Sequence, residues 1–218
     1  MAVQVARHQD DVSIVPAPGT LVDAEGALTP LACTVLHAVS GAPMHVLEAA
    51  RIRRSEQNWM RAPWYRYHRG GAITVGRTIW FTRKWFATDG YGDGCVVSTW
   101  RWLQHLAHEV GHLAQAERYG RGLWGRSRYV LHFAMQYGWR AITFKRAVHD
   151  GASLEIEADL GRSVLVELIG KAGAEHPLVR AVHEGRAPYV QAWCDQGQER
   201  LRLSSVRYRE RVGPVHFA

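Results

Sequence analysis

The stretch HLAHEVGHLAQAE, from His105 to Glu117, places two histidines four residues apart, with a glutamate directly after the first of them. On a helix, His108 and His112 project from nearly one face. They can therefore bind a single zinc ion through imidazole nitrogens. Glu109 is turned from His108 by about 100°. That offset keeps it from competing as a ligand and sets it near a water whose acidity the metal raises. Glu109 can accept that proton and pass it to a leaving group.

Two histidines and a water leave the ligand set short of a third protein donor. The extended pattern H-E-x-x-H-x-x-G-x-x-H is excluded, because Gln115 and Arg118 stand at its Gly and final His positions. A glutamate on a later helix is the other source, and "EIEAD" supplies it. Glu155 and Asp159 are four apart and share a helical face. Glu155 could take the metal, while Asp159 accepts the second ring N–H of a ligating histidine and fixes its tautomer. Glu157 points elsewhere on the helix and suits a first-turn residue facing the helix dipole. Glu155 is therefore preferred to Glu157 as the third ligand.

These residues need elements to hold them. Residues 98–120 read as a helix, with Ser98 or Thr99 at its start and Gly120 at its end. Leu103, Leu106, Val110 and Leu113 form its core stripe. His105, His108, His112 and Gln115 form a second stripe well round the helix. Residues 153–170 read as another helix, with Ser153 as N-cap and Gly170 as stop. "AITVGRTIWFT" (72–82) reads as a strand in which Gly76 marks a bulge or a close backbone approach. "PLACTVLHAVSG" reads as a short helix closed by Gly41, and "MHVLEAARIRR" fits helix or strand. "RAPWYRYHRGG" (61–71) reads as a basic aromatic loop, and "TDGYGDG" (88–94) as a turn. A further short helix fits near 177–193. The expected organisation is a flexible arm over 1–28, one domain over 29–195 and a basic tail over 196–218.

The 218 residues suit one domain, and 47% hydrophobic residues can build a core. The formal charge of +7 draws anionic partners without choosing among them. Three scattered cysteines, Cys33, Cys95 and Cys194, give neither a disulfide framework nor a Cys-x-x-Cys site. The first residues lack the order of a secretory signal, and no apolar run reaches the roughly 20 residues of a membrane span. The expectation is a cytoplasmic protein, or one exported without such a signal.

"HEVGH" followed some forty residues later by "EIEAD" resembles the gluzincin metallopeptidases. The spacing is most similar to the group containing the prenyl-protein and heat-shock membrane proteases. Similar pairs occur in small, soluble, uncharacterised bacterial zincin-like domains. The resemblance covers roughly residues 72–170. It implies His108, His112 and Glu155 as zinc ligands, Glu109 as general base and Asp159 as the residue behind a ligand. It also implies that residues 72–82 edge the cleft, where an extended peptide could pair. Two departures stand. The membrane proteases carry spanning helices and this chain has none. The Tyr and His groups that thermolysin-like enzymes place beyond the third ligand have no matching motif.

The expected fold is α+β and zincin-like: a small, mainly antiparallel sheet with two long helices carrying the metal. The expected activity is zinc-dependent hydrolysis of a peptide or protein substrate. An oxyanion donor would come from Tyr129, His132, Tyr137, His149 or an arginine. His105 is expected at the cleft rim, Gln115 in a hydrogen bond near the site, and Gly111 in close packing beside the metal. The rival reading is a zincin-like binding protein without turnover. Its nine Trp and basic surface would hold a membrane, a nucleic acid or a protein partner. Residues 123–147 are the best membrane-facing segment. No recognised nucleic-acid-binding motif is present.

Overall fold

The structure is a computed structural model that describes residues 19–55, 71–120, 122–143 and 152–213. The fold is α+β, with nine α-helices and one three-stranded sheet among the described residues. The basic aromatic stretch 61–70 and His149 lie outside them.

The first helix, α1 (Pro30–Ser40), follows its sequence signals. Thr29 caps its start through the Ala32 N–H, Pro30 occupies the first turn, and Gly41 closes it at φ 70°. The ambiguous stretch that follows resolves into both alternatives: α2 (Met44–Glu48), then β1 (Arg51–Arg54). The strand expected over 72–82 is a hairpin, β2 (Ala72–Val75) and β3 (Thr78–Phe81). Gly76, at φ 62°, sits in its two-residue turn and not in a bulge.

The sheet is mixed, which corrects the mainly antiparallel expectation. Its order is β1-β3-β2, with β1 parallel to β3 and β2 antiparallel to β3. Hairpin geometry explains the β2–β3 pair, whereas the β1–β3 pair is non-local and leaves no local sequence mark.

The central helix α3 (Val96–Arg118) buries Leu103, Leu106, Val110 and Leu113, the expected stripe. Its N-cap is Cys95, whose sulfur accepts the Ser98 N–H, so Ser98 and Thr99 lie inside the first turn. Trp85 and Trp102 are fully buried and join Phe81 in an aromatic cluster that ties β3 to α3. Helix α4 (Leu123–Thr143) packs beside α3.

The helix expected over 153–170 is interrupted. It consists of α5 (Ser153–Ala158) and α6 (Leu160–Ile169), with Asp159 at the joint. Ala152 takes the N-cap position, and the Ser153 hydroxyl accepts a hydrogen bond from Gln136 instead. The short helix near 177–193 is two, α7 (Pro177–His183) and α8 (Ala187–Gln196), parted by a turn at Gly185.

Both expected domain edges fall inside the packed body. Leu21, Val22 and Leu28 are buried, and Ala27 bridges to Arg51, so the arm joins the core by Leu21. The basic tail forms α9 (Gln198–Val212), which lies on α6 and buries Leu201, Ser204 and Tyr208. Those three recur at helical spacing, so its charge is confined to the outer face.

Candidate metal centre

Two glycines set how closely the helices of the site approach. A Cβ on Gly111 would lie 2.5 Å from the Ala158 Cα, and one on Gly161 would lie 2.6 Å from the Ala107 carbonyl oxygen. Any side chain at either position would push α5 and α6 away from α3. Gly111 thus has the close-packing role expected of it.

With the helices at this distance, three donors converge. The Nε2 atoms of His108 and His112 lie 3.3 and 3.6 Å from Glu155 Oε2. Among the described residues, these three side chains form the group that could hold a metal ion, with ligand atoms all within 4.8 Å of one another. His112 and Glu155 are buried, at 5% and 6% exposure. Three donor atoms facing each other in low dielectric need a positive charge among them, a metal ion or, without one, a proton on an imidazole. The donor set, two imidazoles and one carboxylate, is of a kind that could hold a transition-metal ion.

Each imidazole is oriented from behind. His108 Nδ1 donates to Asp159 Oδ1 at 3.1 Å, and His112 Nδ1 to Gln115 Oε1 at 3.0 Å. In the neutral rings these bonds fix the tautomers that present both Nε2 lone pairs to a metal. Asp159 is anchored in turn by Arg162 Nε at 2.6 Å and the Ser163 hydroxyl at 3.2 Å. Gln115 is fully buried, and its amide donates to the Leu154 carbonyl at 2.7 Å and to Glu157 at 3.1 Å. Glu157 also pairs with Arg118. It therefore belongs to the support behind His112 and not to the converging donors.

The electrostatics follow this wiring. Burial pulls the His108 imidazole down, but its hydrogen bonds to Asp159 and Glu155 outweigh burial and lift it to about 9. Burial raises the Asp159 carboxyl, yet His108 and Arg162 together hold it below the usual carboxylate range.

Glu109 is 6% exposed, and its Oε2 accepts a hydrogen bond from the Thr74 hydroxyl at 2.7 Å. Thr74 comes from β2, so the sheet reaches the helix at this residue. A lone Thr within a β-rich run carries no sequence signal for such a contact, and it was not anticipated.

The remaining expected residues are placed as follows. The Tyr129 hydroxyl donates to Gln115 Oε1 at 3.3 Å, on the Nδ1 side of His112 and away from the converging Nε2 atoms. It supports the side of His112 that Gln115 holds. His132 is engaged by Tyr119 and by Gln136. Tyr137 falls within α4. His105 is half-buried, and its ring stacks edge-on against Trp85 at 4.3 Å. Burial and the Arg162 charge hold its imidazole down at about 4.

No family model, curated protein or solved structure matches the chain.

Proposed function

We propose that the protein is a zinc-dependent peptidase of the gluzincin type. His108, His112 and Glu155 would hold the metal, with Asp159 and Gln115 fixing the two imidazoles. Bound zinc would supply Lewis acidity toward the scissile carbonyl and lower the pKa of water. Glu109 accepts the proton of the attacking water and returns it to the departing amine. Thr74 holds the Glu109 carboxylate in one orientation through its hydroxyl. The observation that carries this reading is the convergence of His108, His112 and Glu155 on one point, with a buried carboxylate one residue along the same helix. That arrangement joins a metal-binding set to a proton acceptor.

Glu109→Gln tests it, since size is kept and the base is lost. Wild type and variant, both loaded with zinc, are given a proteome digest read by mass spectrometry. Cleavages made by wild type should fall at least about a hundredfold in the variant. Metal content should be equal. Identical cleavage by both proteins, or none by either, would remove the peptidase reading and leave a binding role for the site.

A further inference from the structure

Helix α4 carries apolar side chains on two opposite faces, and only one of them is covered. On the inner face Tyr129 is buried, and the Phe133 ring lies 6.0 Å from that of His112. On the outer face Leu123, Trp124, Val130, Leu131 and Met135 all face solvent, with Trp124 84% exposed and Leu123 82%. At helical spacing these five span an arc of roughly 140°, opposite Gly125 and Tyr129. Ser127 is the one polar residue within it. A stripe of that width is what a helix turns toward a core, and leaving it in water forfeits the burial of several large side chains.

Charge selects the occupant. Arg128, exposed, lies at helical spacing about 20° beyond one edge of that arc, and the helix sequence contains no acidic residue. Pairing α4 with its copy across a two-fold axis would bring positive charge to positive charge, with no acidic residue on the helix to offset it. An anionic bilayer offers an apolar layer and negative charge together. A groove of about 460 Å³ beside the stripe sets Arg128, His132 and the Glu157-paired Arg118 next to Leu131 and Met135, so Arg128 is the charge a lipid phosphate would meet there, with apolar side chains beside it for the lipid's chain. The formal charge of +7 adds long-range attraction to such a surface. Among the described residues no helix is long and apolar enough to cross a membrane.

We propose that α4 seats the protein on an anionic lipid surface. The helix lies in the plane of the headgroups, with Leu123, Trp124, Leu131 and Met135 in the acyl boundary. This inference stands independently of the metal reading. If both hold, the metal centre sits within about one helix diameter, ~10 Å, of the bilayer, because Phe133 of the same helix packs on His112.

Full-length protein is sedimented with vesicles of phosphatidylcholine alone and of phosphatidylcholine mixed with phosphatidylglycerol. Binding is expected to the mixed vesicles, to weaken as salt rises, and to be slight on the neutral ones. The double variant Trp124→Ser, Leu131→Ser should lose roughly a hundredfold in partitioning. Its melting temperature should stay unchanged, because both side chains are exposed. If that variant fails to fold, quenching of wild-type tryptophan fluorescence by brominated phosphatidylglycerol gives the same reading. Wild type left in the supernatant with both vesicles overturns the proposal. So does equal binding to both, or a dimer that the double variant dissolves while wild type binds no vesicle.

Discussion

The hydroxyl of Thr74 lies 2.7 Å from Glu109 Oε2, joining an edge strand to the central helix across 35 residues of chain. A hydrogen bond to a buried charged group contributes about 1.5–3 kcal/mol, and a carboxylate left without it keeps its full desolvation penalty. Its orientation is also what proton transfer requires.

Thr74→Val should therefore destabilise the protein by about 1–3 kcal/mol in urea denaturation. The same substitution made on a Glu109→Ala background should cost much less, because the partner is already gone. Thr74→Ser should restore the wild-type value. Equal costs in both backgrounds would show that the hydrogen bond carries no coupling.

Metal content should separate two glutamates two residues apart. Glu155→Ala should abolish retention of zinc after dialysis, while Glu157→Ala should keep it. The reason is that Glu155 faces both Nε2 atoms, whereas Glu157 faces Arg118 and Gln115. Asp159→Ala and Gln115→Ala, which unfasten one imidazole each, should weaken zinc affinity by about 10- to 100-fold. Competition with a chelating dye measures all four. Retention by Glu155→Ala would reassign the third ligand.

Acid should act on the fold through His105. Its neutral form is favoured in the folded state, with Trp85 against its ring and Arg162, His108 and Asp159 as the charges around it. The unfolded chain protonates this group near its ordinary pKa of about 6.5. The folded state resists protonation down to about 4. Stability is thus intact above pH 6.5 and is lost as pH falls through that window, by an amount on the order of 3 kcal/mol at its acid end. Compared in chelator, so that metal release is absent, His105→Gln should lose less stability than wild type between pH 6.5 and 4. Parallel curves for the two proteins would rule this out.

Helical spacing made part of the site readable. His108 and His112 fall in one helix with a separate core stripe, so their shared face, and the offset of Glu109 from it, followed from periodicity alone. Glu155 and Asp159 were readable for the same reason. The joint at Asp159 was not, because no Gly or Pro marks it. Thr74 was illegible, since its partner is set by how β2 lies on α3 and not by any local pattern. The parallel β1–β3 pair has the same origin. In α9 the charged residues of the sequence masked a buried stripe of Leu201, Ser204 and Tyr208, which their spacing could have revealed. The Tyr208 hydroxyl donates to the Ile156 carbonyl at 2.6 Å, so a segment that reads as a tail braces the helix bearing Glu155.

The bare Cα of Gly111 has an evolutionary corollary. It lies between Glu109 and His112 in the chain, and no side chain fits there without parting α3 from α5. The two helices bear the donor atoms that converge on one point, so even one added methyl would be felt there as displacement. A saturation mutagenesis screen for metal retention would then rank this chemically inert position with the ligands themselves. The tolerated spelling of the motif would be H-E-x-G-H, narrower by one letter than coordination chemistry demands.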